Sequence, residues 1–245
     1  MNLIITCARH LEPETKDELN DILEDFGDSD AQISITSMSG ILTAETKLDP
    51  IEIVRKIKET VQIIKNGGIV IFPTDTVYGI GCDPFNEQAV KKIYEIKSRD
   101  TSKSLPVLTY SIETAETIVM LDEFTKKIAV KFWPGPLTII LKITNESLKK
   151  SLNLNEKIAI RVPDQKCTLE LLEKCNFLVG TSANISNQSS FTDPDKCFKN
   201  MKNFDVFVDG GKITSNGEST IIEIEDKKIK IIREGSLSQD EILKI

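Results

Sequence analysis

Residues 67–108, GGIVIFPTDTVYGIGCDPFNEQAVKKIYEIKSRDTSKSLPVL, constrain this chain more than any other stretch. Residues 69–72 form an apolar, β-branched and aromatic run just after a Gly-Gly break, and have the length of a buried strand. Pro73 stops that strand from continuing in a central ladder. Along extended backbone Thr74 and Thr76 would project their hydroxyls to one side and Asp75 to the other, which gives Asp75 a role in the fold rather than in catalysis. Gly79 and Gly81 let backbone come close to something bulky. Asn86 stands where a helix N-cap belongs, and the helix after it delivers Lys97 and Arg99. Lys103 follows on a polar loop before a second apolar segment at 105–108. A strand, a hydroxyl-rich turn and convergent cations suit an anion. Neither GxxxxGK[ST] nor GxGxxG occurs, so this is not one of the familiar phosphate loops.

The rest of the chain narrows the chemistry. Its 245 residues suit one large domain, or one domain plus a small appendage. A net charge of −7 argues against a nucleic-acid coat held by bulk positive charge, so an anion must be gripped by locally focused cations. The five cysteines (Cys7, Cys82, Cys167, Cys175, Cys197) are scattered, and His10 is the only histidine. That pattern disfavours structural zinc, a disulfide framework and Ser-His or Cys-His catalysis. The apolar start is too short for a signal peptide and no run approaches a membrane span, so the expectation is a soluble cytoplasmic protein with reduced thiols and no membrane partner.

Residues 1–46 read as a small βαββ unit: a strand at 3–8, a helix at 13–26, then a hairpin. Leu19, Ile22, Leu23 and Phe26 share one helix face, Gly27 closes it, and the hairpin turns at Ser39-Gly40. Strand, helix and hairpin make most of a ferredoxin-like half, similar in outline to the start of RNA-binding THUMP domains but without a shared residue motif. A structural or subunit-contact appendage is the expectation, with a weak RNA contact kept open. Asp49-Pro50 would start a helix with Val54, Ile57, Val61 and Ile64 on one stripe, so the main domain is placed at 48–245 and the appendage at 1–47. Further helices are expected at 114–121, 123–132 and through Leu169, Leu171 and Leu172. Strands are expected at 139–143, 157–162, 177–179, 206–208 and 229–232. The strand at 177–179 runs into TSANIS, small hydroxyls and an amide at a strand end, where ligands of α/β proteins usually bind. Tyr78 and Trp133 are read as packing residues.

In order, PTDTVYGIG, the KSR of Lys97 and Arg99, WPGPLT, the RVP at Arg161, TSANIS, GEST and a final REG span residues 50–240. Together they resemble the YrdC/TsaC family of threonylcarbamoyl-AMP synthases. The resemblance implies an open, twisted, mixed α/β sheet forming a concave basin. It also implies a nucleotidyltransferase that turns L-threonine, bicarbonate and ATP into threonylcarbamoyl-AMP and pyrophosphate, for threonylcarbamoyl-adenosine modification of tRNA by a downstream transfer complex.

By family position, Lys97, Arg99, Ser182 and Asn184 match the KxR…SxN tetrad that holds triphosphate and carbamate. Lys103, Thr192 and Arg233 join the ATP set, and Thr76, Arg161, Ser182 and Ser219 the threonine set, with Arg161 facing the α-carboxylate. Mg²⁺ is expected on the phosphates without an all-protein cage, so no metal-ligand set is assigned. Three departures stand out. Asp100 and Ser104 replace prolines common after Arg99 and Lys103, which should loosen that loop. Asn187 replaces a glycine, the best substitute if that position is left-handed. The chain ends soon after Arg233, like short members of the family, which would hand their product to a partner. The alternatives are the related YciO type, whose SxN counterpart usually lacks the asparagine, and a non-catalytic RNA binder of the same fold.

Overall fold

The computed structural model describes residues 3–6, 11–25, 28–37, 39, 41–45, 50–215 and 217–244. Contacts divide the chain into two compact units, Met1–Thr60 and Val61–Ile245. The first holds β1 (Leu3–Thr6), α1 (Glu12–Asp25), β2 (Gln32–Ile35) and β3 (Ile41–Glu45). The strands lie in the order β1-β3-β2, antiparallel throughout. Leu23, Ile33 and Leu42 form a small core. Expectations for Ala8, Phe26, Gly27, Gly40, Leu48 and Asp49, and for the side chains of Ile22 and Val54, fall outside the described residues, as do Cys7 and His10.

Helix α2 (Pro50–Lys65) runs through the point where the units divide. In the second unit its Val61 and Ile64 pack with Val70, Phe72, Leu108, Leu171, Leu172 and Leu178, and each such burial contributes roughly 1.5–3 kcal/mol. Gly67, at φ 84°, ends the helix. The chain then enters β4 (Val70–Phe72) and, after the PTDT turn, β5 (Gly79–Gly81). Asn86 caps α3 (Glu87–Lys97), its side-chain oxygen accepting from the amides of Gln88 (3.1 Å) and Ala89 (3.0 Å). After β6 (Val107–Thr109) come α4 (Ile112–Glu116) and α5 (Glu123–Phe132). Helix α4 starts earlier than the apolar pattern suggests because Ser111 caps it, and it stops before Val119, which bridges to Ile143.

Next come β7 (Leu137–Lys142), α6 (Glu146–Ser151), β8 (Lys157–Arg161), α7 (Lys166–Cys175), β9 (Phe177–Val179), β10 (Thr181–Ser182) and α8 (Pro194–Asn200). The chain closes with β11 (Val206–Phe207), β12 (Thr220–Glu225), β13 (Lys228–Arg233) and α9 (Gln239–Leu243). Two open mixed sheets result, β10-β5-β4-β11 and β13-β12-β7-β8-β6-β9. Parallel pairs (β12/β7, β6/β8) alternate with antiparallel ones in the six-stranded sheet, and the four-stranded sheet has two antiparallel pairs and the parallel pair β4/β11. The chain crosses from one sheet to the other at Gly180, between β9 and β10.

The bulky neighbour that Gly81 accommodates is the second sheet: a Cβ there would lie 1.8 Å from the Val179 carbonyl oxygen. Tyr78 and Trp133 are packing residues. Tyr78 is buried and stacks on Phe207, while the Trp133 indole nitrogen donates to the Leu137 carbonyl at 2.6 Å.

Candidate active site

Both sheets end on one cavity of about 500 Å³. Of the ten residues read from the sequence as site residues, nine line it: Thr76, Lys97, Arg99, Lys103, Arg161, Ser182, Asn184, Ser219 and Arg233. Thr192 does not line it. That segment is tied down elsewhere, because the Phe191 carbonyl accepts from Tyr78 N (2.8 Å) and the Thr192 carbonyl from Ile213 N (2.9 Å).

Lys97 stands at the end of α3 with 1% of its surface exposed. Its ammonium donates to the Ser182 carbonyl, to the Asn184 carbonyl (2.8 Å) and to Asn184 Oδ1 (3.0 Å). All three N–H bonds are thereby spent on the end of β10 and the loop after it, which excludes a solvated helix-end lysine. Burial, reinforced by the Arg99 charge and opposed by Glu218, lowers its pKa from 10.5 to about 8. Asn184 Oδ1 also accepts from Ser182 Oγ (2.7 Å), and its amide nitrogen donates to the Gln188 carbonyl, so the network fixes the amide's orientation. Residues 183–192 contain no helix, so Ser182 and Asn184 are not helix caps. Asn187 has φ 69°, the left-handed conformation its replacement of glycine suggested.

Ser98, at φ 46°, ends α3 and turns the chain so that Arg99 faces the cavity. Arg99 donates through Nε to the Lys103 carbonyl (3.1 Å) and through Nη2 to the Ser104 carbonyl (3.0 Å), folding the basic loop around itself. Asp100 accepts from Ser102 N within that loop.

The threonine side differs from the extended reading of PTDT. Thr74 Oγ1 accepts from the amides of Thr76 and Val77, both at 3.1 Å, and donates to the Val77 carbonyl at 2.6 Å. The segment is therefore a hydroxyl-stabilised turn, and strand alternation does not apply to it. The Thr74 and Thr76 hydroxyls also lie in contact at 3.0 Å, and Thr76 Oγ1 accepts from Arg161 Nη1 (3.0 Å). Asp75 is not turned away from Thr76 but shares Arg161 with it, through an ion pair to Nη2. Arg161 also donates through Nε to the Gly135 carbonyl (2.9 Å), so the WPGPLT corner helps seat it. Five N–H bonds less these three leaves two on the guanidinium.

On the far wall Arg233 donates to the Ser219 carbonyl (2.8 and 3.2 Å) and pairs with Glu218. Ser219 Oγ accepts from Thr138 Oγ1 at 2.9 Å. Among the lining residues that sequence reading passed over, two bear on the chemistry. Glu218 brings a carboxylate to a cationic wall, signalled only by its place inside GEST. Ser186 places a buried Oγ without a hydrogen-bond partner beside the loop that Lys97 holds, signalled by the last serine of TSANIS.

Among the described residues no group of three or more His, Cys, Asp or Glu could hold a metal ion. Nor is any of their helices long and apolar enough to cross a membrane. What is assembled is a polyanion basin of the open-sheet α/β class, its charge supplied by lysine and arginine and its orientation by one amide and several hydroxyls.

The comparisons place this class within a family. The Sua5/YciO/YrdC family model, described as "Telomere recombination", matches residues 62–235, so the chain belongs to that family. A Methanocaldococcus jannaschii protein, provisionally named a threonylcarbamoyl-AMP synthase, is 43% identical over 173 residues, 70% of this chain and 82% of that one. The threonylcarbamoyl-AMP synthase of Pyrococcus abyssi is 32% identical over 78% of this chain, which spans only 57% of that longer protein. The crystal structure of P. abyssi Sua5 complexed with L-threonine superposes with a TM-score of 0.71 at 31% identity, covering 78% of this chain and 57% of that one.

Proposed function

We propose that this chain is an L-threonylcarbamoyladenylate synthase, a nucleotidyltransferase that makes threonylcarbamoyl-AMP and pyrophosphate from L-threonine, bicarbonate and ATP. The observation that carries the reading is the ammonium of Lys97, held by the carbonyls of Ser182 and Asn184 in one cavity with Arg99 and Arg233. Threonine's amine and bicarbonate give a carbamate and water. A carbamate oxygen then attacks the α-phosphorus and the bond to pyrophosphate breaks. Such a displacement needs alignment and charge neutralisation more than a histidine base.

Lys97, Arg99, Lys103 and Arg233 neutralise the triphosphate. Asn184 and Ser182 orient the carbamate. Thr76, Ser219 and the two remaining N–H bonds of Arg161 receive threonine, its carboxylate at Arg161. Thr192 keeps a place in the ATP set only if its loop moves. A Mg²⁺ ion suits a wall without an acidic cage: it would arrive on the phosphates, supply further charge neutralisation and bind the protein through few contacts. The product passes to a cytoplasmic transfer complex acting on tRNA.

The test is pyrophosphate release from ATP by the purified chain. It should require both threonine and bicarbonate, and omission of either should return it to background. Release indifferent to threonine, or none at all, rejects the reading.

A further inference from the structure

Glu218 is the one carboxylate among the described residues that line the cavity, and it stands against Arg233. Its root is fixed: the Glu218 carbonyl accepts from Ser236 N (2.8 Å) and Ser236 Oγ (3.2 Å). Its other carboxylate oxygen accepts from Ser190 Oγ, in the loop that continues from Asn184. One side chain thus ties the β12–β13 wall to the Ser182–Asn184 wall. A guanidinium accepts carboxylate and phosphate through the same donors, so an oxygen of a substrate polyanion that reaches Arg233 must compete with Glu218.

We propose that Glu218 is a resident competitor for Arg233 that weakens the grip on pyrophosphate and so sets the ease of its departure. The inference rests on the synthase reading. Five cationic side chains line the cavity, and a product carrying several negative charges would otherwise be retained by the same residues that neutralise it in the transition state. A tethered carboxylate offsets part of that attraction and re-forms its pair as the product leaves. Glu218 is accordingly a positioning residue that acts through Arg233.

The probe is inorganic pyrophosphate, titrated calorimetrically into the full chain without and with Mg²⁺. Glu218→Gln keeps the shape and Glu218→Ala guards against a glutamine-specific effect, both checked for native circular dichroism. Each should tighten metal-free pyrophosphate binding roughly three- to tenfold. The product-inhibition constant should fall by the same factor while the KM for threonine stays unchanged. In an Arg233→Ala background the gain from Glu218→Gln should shrink to the small residue expected from its weaker field at Lys97. Unchanged or weaker pyrophosphate binding, or a gain of undiminished size without Arg233, overturns the proposal. Weakening seen only with Mg²⁺ makes Glu218 a metal ligand and overturns it too. If the unaltered chain binds no pyrophosphate, the synthase reading falls with it, whereas binding without a gain in the variants sinks this inference alone.

Discussion

Lys97 carries two opposed requirements. Its ammonium is needed to hold three oxygens of the Ser182–Asn184 loop, yet burial among positive neighbours pulls its pKa down to about 8. Above that pH the free enzyme loses one donor and one charge, so kcat/KM for ATP should decline toward tenfold per pH unit. Bound polyanion favours the ammonium, so the corresponding limb in kcat should lie at higher pH. Stability should move the other way. Between about 8 and 10.5 the unfolded chain holds the proton that the folded one has released, so this group's contribution rises with pH. Pyrophosphate-release rates and urea midpoints measured from pH 7 to 10 check both trends. Lys97→Met should remove the basic limb and reduce kcat/KM by about 100- to 1,000-fold. A variant within threefold of the parent would show that the ammonium is dispensable. Lys97 and Asn184 were readable because their motifs keep residue identity and order. Glu218 was not, since nothing local tells a wall carboxylate from a surface one.

At the level of elements, most strands and the longer helices follow from apolar runs and caps, as with Asn86 before α3 and the strand at 177–179. What escaped reading was short or settled by distant contacts. Helices α6, α8 and α9 are five to seven residues long and depend on the caps Asn145, Asp193 and Ser238. The PTDT segment looks extended in sequence but bends because one hydroxyl satisfies two amides. The two-sheet construction has its tightest point at Gly81. Gly81→Ala drives a methyl group into the Val179 carbonyl, and since both partners are backbone the strands themselves must separate. A loss of about 2–4 kcal/mol is expected in chemical denaturation. Melting within 2 °C of the parent, a shift that corresponds to no more than about 1 kcal/mol in a chain of this length, would show that the crossing between sheets is softer than drawn.

For the whole molecule, every described residue lining the cavity falls within Val61–Ile245. Removing residues 1–46 should therefore leave kcat and the KM values within about threefold, provided circular dichroism shows the remainder folded. A collapse of turnover in a folded truncation would mean that the first unit completes the machinery. The seam at Gly180 has its own thermodynamic consequence. Lys97 and Asn184 reach the cavity beside the four-stranded sheet, Arg161 and Arg233 from the six-stranded one, and a nucleotide joined to an amino acid is long enough to touch both shores. Such a guest acts as a brace: whatever lets the sheets drift apart must first expel it. At 100 times its dissociation constant a single guest adds about 2.7 kcal/mol to the unfolding free energy. Calorimetric melting with ATP and threonine together should therefore rise above the sum of the shifts each gives alone.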